Sequence, residues 1–195
     1  MEPLSDDDLV RMYRQGDAEA FDTLFDRHYG SVYGFARTML REPAAAEEVL
    51  QETFLSVART ASRYTPRGRF RSWLMRIVRN RCLNRIEARR RRRAALAVSG
   101  PDVADLPARE PAPVRRAQSH EQQALIRAAV ADLPDRQREA IALYAFEQMS
   151  YREIAEVLQM PINTVKTLIH RARANLARAL EPLTQEPHRE LRRDL

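Results

Sequence analysis

Ser150-Tyr151-Arg152-Glu153-Ile154-Ala155-Glu156-Val157-Leu158-Gln159-Met160-Pro161-Ile162-Asn163-Thr164-Val165-Lys166-Thr167-Leu168 is the stretch from which the rest of this 195-residue chain can be read. Ser150 caps one helix; Ile154, Leu158, Met160, Val165 and Leu168 then take the buried positions of a helix-turn-helix, with small Ala155 where the two helices approach most closely. Asn163 or Thr164 is expected to cap the second helix. Such turns often carry glycine where this chain has Gln159, which predicts a modest cost if φ is positive there. The second helix presents Thr164, Lys166, Thr167, His170 and Arg171, and residues 161–180 hold four cations and no acid. Hydroxyls and cations in its first two turns suit base edges and flanking phosphates in a major groove, although His170 is as well suited to packing as to reading a base.

Upstream, an amphipathic stretch at 120–132 is followed by Leu133-Pro134, which starts a helix through Ile141, Leu143 and Phe146. Residues 99–119 contain four prolines and no helical period, so they read as an extended, flexible linker. The chain is therefore expected to be all-α, with two small helical domains at 1–98 and 120–181 and a tail at 182–195 too short for a sensory domain. Five glycines in 195 residues, among abundant Ala, Arg, Leu and Glu, exclude a turn-rich β-architecture.

The net charge of +6 hides an uneven distribution. Residues 1–60 carry six arginines against twelve acids, residues 61–98 carry thirteen arginines against Glu87 alone, and residues 99–195 are balanced. The basicity is thus a block, which predicts an anionic partner at one place in the molecule. Lys166 is the sole lysine, a bias read as base composition rather than chemistry. Cys82 is the sole cysteine, so neither an intrachain disulfide nor a cysteine-based zinc site can form, and its apolar neighbours Val78, Leu83 and Ile86 point to an inert thiol. The acidic start is unlike a signal peptide, and no run of about 18 apolar residues could span a bilayer, which predicts a cytoplasmic protein without membrane insertion. No catalytic constellation, metal cluster or cofactor motif is present, so no enzymatic activity, metal or cofactor is expected.

The first lobe reads as four helices. Ser5 and Asp8 form a capping box before Leu9, Val10, Met12 and Tyr13, and Gly16 ends that helix. Asp17 caps a longer one with Phe21, Leu24, Phe25, His28, Val32, Phe35 and Met39 at spacings of three and four. Pro43 suits the first turn of the third, where an apolar stripe of Val49, Leu50, Thr53, Phe54 and Val57 lies beside Glu47, Glu48, Gln51 and Glu52. The fourth has Phe70, Trp73, Leu74, Ile77 and Val78 on a dry face, Trp73 reading as core, with Arg76, Arg79 and Asn80 on another. Arg89 to Arg93 reads as a solvated helix end or a nonspecific nucleic-acid contact.

Four segments in this order, Arg14 to Phe21, Ala46 to Leu55, Phe70 to Asn80 and Ser150 to Leu176, resemble a bacterial RNA polymerase sigma factor of the compact extracytoplasmic-function group. The resemblance implies sigma region 2 in the first lobe, binding core RNA polymerase and the −10 element, and sigma region 4 in the second, binding the −35 element. It assigns Glu47, Glu48, Gln51 and Glu52 to the polymerase clamp helices, and the second lobe to the flap. It makes the loop from Tyr64 to Arg69 the captor of a flipped −10 base, with Tyr64 offering a stacking face, a contact worth about 1–3 kcal/mol per base. Arg67 and Arg69 of that loop would join the −10 contact, Arg71, Arg76 and Arg79 would hold phosphates, and Asn80 and Asn84 would face the −10 bases. Thr164, Lys166, Thr167, His170 and Arg171 would meet the −35 DNA, while Tyr144 stands where many relatives have arginine. Promoter DNA, core polymerase and an anti-sigma factor are the implied partners. The competing readings are a free-standing helix-turn-helix regulator and an arginine-rich RNA-binding protein, both of which leave the acidic helix or the helix-turn-helix without a task.

Overall fold

The computed structural model describes residues 4–98 and 125–184, and every regular element among them is helical. The expected linker at 99–119 and the tail beyond Thr184 lie outside the described residues. In the first lobe, α1 (Asp6–Arg14) starts on the expected capping box, Ser5 accepting from the Asp8 N–H while the Asp8 carboxylate reaches back to the Ser5 backbone. Gly16, at φ 99°, turns the chain into α2 (Ala18–Leu40), where the Asp17 side chain accepts the Ala20 N–H. Arg41 ends α2 in the left-handed region at φ 65°, and Pro43 opens α3 (Pro43–Thr60) at a position that needs no N–H donor. A 3-10 turn, Ala61–Arg63, and a loop lead to α4 (Phe70–Val98). Leu24, Val32, Phe35, Val49, Phe54, Leu74 and Val78 are buried between α2, α3 and α4.

The second lobe comprises α5 (residues 125–131), α6 (Asp135–Ile141), a π-helical turn Ala142–Phe146, α7 (Tyr151–Leu158) and α8 (Ile162–Thr184). The helix expected to run to Phe146 widens after Ile141 and stops at Gln148, φ 51°, leaving Phe146 51% exposed. The Leu143 carbonyl is taken by the Met149 N–H across that turn, so Met149 and Leu143 both reach the core. In the helix-turn-helix, Ile154, Leu158 and Val165 are buried while Ala155, Met160 and Leu168 are half-buried. Gln159 does occupy the left-handed region, at φ 54° and ψ 49°. The expected cap of α8 is corrected: the cap position is Pro161, two residues before Asn163, the helix begins at Ile162, and the Pro161 carbonyl accepts the first N–H groups, from Thr164 and Val165. Asn163 and Thr164 therefore stand inside the first turn.

The two lobes pack on each other, α4 against α7 and α2 against α6 and the π turn. Their buried side chains form one continuous hydrophobic cluster. A helix with 3.6 residues per turn has room for three stripes, and α4 uses all of them. Phe70, Leu74 and Val78 enter the first lobe's core; Arg71, Met75, Arg79 and Cys82 form a second stripe; Arg76, Asn80 and Asn84 form a third, which is exposed.

Candidate nucleic-acid and protein interfaces

On α3, Glu47, Glu48 and Gln51 are exposed and Glu52 is half-buried. Glu52 and Glu48 are not isolated acids: Glu52 pairs with Arg81 at 3.0 Å and Arg85 at 2.7 Å, and Arg85 also donates to Glu48. These charges tie α3 to α4 and leave Glu47 as the acid of the row with no ion pair among the described residues. Leu55, 56% exposed, lies one turn beyond Gln51 on the same face, and sequence reasoning missed it although the i, i+4 spacing contains the signal. Phe146 was missed too, because its exposure follows from a π turn that no local pattern announces.

Seven of the eight side chains expected to meet −10 DNA, all but Tyr64, fall into two sets. Arg67, Arg76, Asn80 and Asn84 are exposed. Arg69, Arg71 and Arg79 are each engaged by an acid of the second lobe. Arg69 pairs with Glu156 at 3.0 Å, and Arg71 donates to the Glu147 carbonyl with its carboxylate at 3.4 Å. Arg79 donates to Glu139 at 2.7 Å, with the two side chains only 7% and 1% exposed. Arg90–Asp135 at 2.5 Å and Arg41–Asp132 at 4.0 Å complete the row between the lobes. Exposed pairs of this kind contribute about 0–1 kcal/mol each, whereas the buried one cannot lose a partner cheaply.

Tyr64 differs from expectation. Its ring is buried, packed edge-on against Phe70 at 5.6 Å and tilted against Trp73 at 5.0 Å, and its hydroxyl donates to Asp7 at 2.6 Å. Burial first, and then the Asp7 carboxylate, push its phenol well above the ordinary tyrosine range, so it is a fixed donor. No open stacking face remains because Phe70 and Trp73 occupy the ring. Tyr64 instead forms a wall of an open cleft of about 270 Å³ that it shares with Arg69, Ser72, Trp73, Arg76 and Glu156. Glu156, on α7, thus places a second-lobe carboxylate in the first lobe's cleft.

On α8, Thr164, Lys166, Thr167, His170 and Arg171 are all exposed, which takes His170 off the core. Lys166, Thr167, His170 and Arg171 share a broad open cleft of about 470 Å³ with Tyr151 and Arg173. The Thr167 hydroxyl donates to the Asn163 carbonyl, one helical turn back. Tyr144 stacks on Tyr151 at 5.4 Å, and the Arg173 guanidinium lies 4.6 Å from its ring centre, so the tyrosine anchors a cation of α8. Cys82 is fully buried and its thiol is pushed up to about 12 by burial. Among the described residues there is no cluster of His, Cys, Asp or Glu fit for a metal, and no helix long and apolar enough to cross a membrane.

Comparison with known proteins covers both lobes. Residues 24–92 match the family model Sigma-70 region 2, and residues 123–176 match Sigma-70, region 4. The chain is 32% identical over 190 residues to the RNA polymerase sigma-H factor of Pseudomonas aeruginosa, covering 93% of this chain and 96% of that one. It is 35% identical over 176 residues to the ECF RNA polymerase sigma factor SigM of Mycobacterium tuberculosis, covering 90% and 85%. Among solved structures it is similar to CnrH in complex with the cytosolic domain of CnrY, at a TM-score of 0.66 and 26% identity over 91% of this chain and 97% of that one. It shares the fold of RpoE from Bartonella quintana, solved with the anti-sigma factor NepR, at a TM-score of 0.68 and 23% identity over 84% of this chain and 98% of that one.

Proposed function

The chain belongs to the extracytoplasmic-function group of the sigma-70 family of RNA polymerase sigma factors, and from that membership we propose how its surfaces share the selection of a promoter. As a sigma factor it directs core polymerase to particular promoters; it is a transcription-initiation factor. Glu47, Glu48, Gln51 and Glu52, with Leu55 among them, offer an apolar centre with an acidic rim to the basic clamp helices. The second lobe meets the flap. The exposed row Arg76, Asn80 and Asn84, with Arg67, receives the single-stranded −10 element, one base entering the cleft beside Trp73. Thr164, Lys166, Thr167, His170 and Arg171 on α8 enter the major groove of the −35 element. The work is done in the cytoplasm, where polymerase and promoter lie.

The observation that carries this reading is the division of α4's polar groups. One stripe is open beside a cleft, and the other holds its arginines on carboxylates that stand in for DNA phosphates. Promoter engagement therefore requires the lobes to separate, after which Arg69, Arg71 and Arg79 exchange carboxylates for phosphates. An anti-sigma factor that holds the lobes together is the regulator such an arrangement calls for. The free-standing regulator and the RNA-binding protein give the α3 face and the α4 row no task.

The test is Asn80→Ala. A bidentate amide contact to a base is worth about 1–3 kcal/mol. Open-complex formation, followed by permanganate reactivity of the −10 region, is expected to fall about tenfold, with −35 duplex binding unchanged. Equal losses in both would remove strand capture from α4.

A further inference from the structure

We propose that Asp7 and Arg14 are positioning residues for base selection: α1, which precedes the segment matched by the region 2 family model, sets the shape of the cleft that receives the −10 base. The inference deepens the −10 role proposed for the cleft and rests on it.

The loop between the 3-10 turn and α4 contains Pro66 and a Gly68 at φ 66°. Side chains of α1 anchor it. Asp7 spends both carboxylate oxygens on it, Oδ1 accepting from the Tyr64 hydroxyl and Oδ2 from the Gly68 N–H, each at 2.6 Å. Arg14 donates Nε to the Ala61 carbonyl at 2.7 Å and Nη2 to the carbonyls of Ala61 and Tyr64. Seven residues separate Asp7 from Arg14, two turns of helix, so both lie on one face about 10 Å apart. One rigid helix therefore grips the loop at Ala61, Tyr64 and Gly68.

The anchorage of α1 itself does not need either residue. Leu9 and Val10 are buried in the core, Asp6 holds Arg27 at 2.6 Å and His28 at 2.9 Å, and the capping box fixes the N-terminus. Asp7 and Arg14 direct their side-chain hydrogen bonds to the 3-10 turn and the loop after it. Asp7 through the Tyr64 hydroxyl, and Arg14 through the Tyr64 carbonyl, set the ring that forms the cleft wall beside Trp73. A site that discriminates among bases needs such a wall held in one position, since a loose loop would accept several bases equally.

The test uses holoenzyme and a promoter library randomised across the −10 element, with transcripts sequenced to score base preference at each position. Wild type is expected to show a narrow preference at one −10 position. Asp7→Ala, Arg14→Lys (which keeps the charge and loses the fork) and Tyr64→Phe should each flatten that preference about fivefold, the order of a single base-pair mismatch. Preference across the −35 element and affinity for core polymerase should stay within about twofold of wild type. The double variant Asp7→Ala/Tyr64→Phe should be no worse than Asp7→Ala alone, because the hydroxyl acts through that carboxylate. Tyr64→Phe keeps the ring and its packing, so unchanged base preference in that variant overturns the proposal even if Asp7→Ala folds poorly. Parallel losses of core affinity and −35 preference also overturn it, in favour of a scaffolding role. A wild-type holoenzyme that initiates with no −10 preference at all would refute the function proposed for the cleft itself.

Discussion

Glu139→Gln tests how the lobes are held together. Glu139 is 1% exposed and its Oε2 accepts from Arg79 Nε at 2.7 Å across the interface. Gln preserves the shape and removes the charge, which leaves the Arg79 guanidinium buried without a counter-charge. Removing one member of a buried pair costs about 3–5 kcal/mol. Most of that falls on the packed arrangement, since in separated lobes Arg79 is hydrated, while the loss of the Glu139 pair with Arg136, 3.7 Å away in the same lobe, is common to both arrangements. At about 1.4 kcal/mol per tenfold, the ratio of packed to separated lobes should fall on the order of 100-fold. The assay is energy transfer between dyes on cysteines introduced at exposed Glu19 of α2 and Ala177 of α8; buried Cys82, with its thiol pushed up to about 12, will not compete for label. Wild type should show one short distance at low salt, and the variant a longer one together with tighter binding of a −10 single strand. An unchanged distance in the variant, or separation without any gain in strand binding, would refute the reasoning.

Further expectations concern local chemistry. Gln159→Gly relieves a left-handed residue at φ 54° and should stabilise the protein by about 1 kcal/mol, read as a higher denaturant midpoint; no change would mean the turn carries no strain. Glu47→Arg should weaken core polymerase binding at unchanged thermal stability, whereas Glu48→Arg should also lower stability by breaking the Arg85 contact. Equal core affinity in Glu47→Arg would discard the α3 assignment. Acid should loosen the fold. Burial pushes the carboxyls of Asp6 and Asp135 up, but His28 and Arg27 around Asp6, and Arg90 and Arg138 around Asp135, more than offset this and hold both below the ordinary aspartate range. A depressed folded pKa contributes stability above the unfolded value and loses it as pH falls through the folded one, so stability should decline below about pH 4. A denaturant midpoint that rises on acidification would contradict it.

What could be read in the sequence was local. The Ser5 and Asp8 box, the Asp17 and Ser150 caps and Pro43 at a helix start each depend on residues three or four apart, and each stands where expected. The cost at Gln159 was likewise legible from its place in a turn. Arg79 was not, because its carboxylate partner lies sixty positions away on another lobe, and spacing along α4 says only that Arg79 and Arg71 share a stripe. Tyr64 failed as a stacking platform for a similar reason. Its aromatic character was visible, but Asp7, fifty-seven positions earlier, and the rings of Phe70 and Trp73 decide which way it faces. Exposed Leu55 lay within reach of helical arithmetic, whereas Phe146 depended on a π turn.

Transcription in vitro on genomic fragments, with transcript 5′ ends mapped for core polymerase alone and with this protein added, tests the central claim most directly. The account predicts discrete start sites that require the protein and share −10 and −35 elements. Failure to direct core polymerase to any discrete start, with the protein instead binding duplex sites unaided, would contradict it.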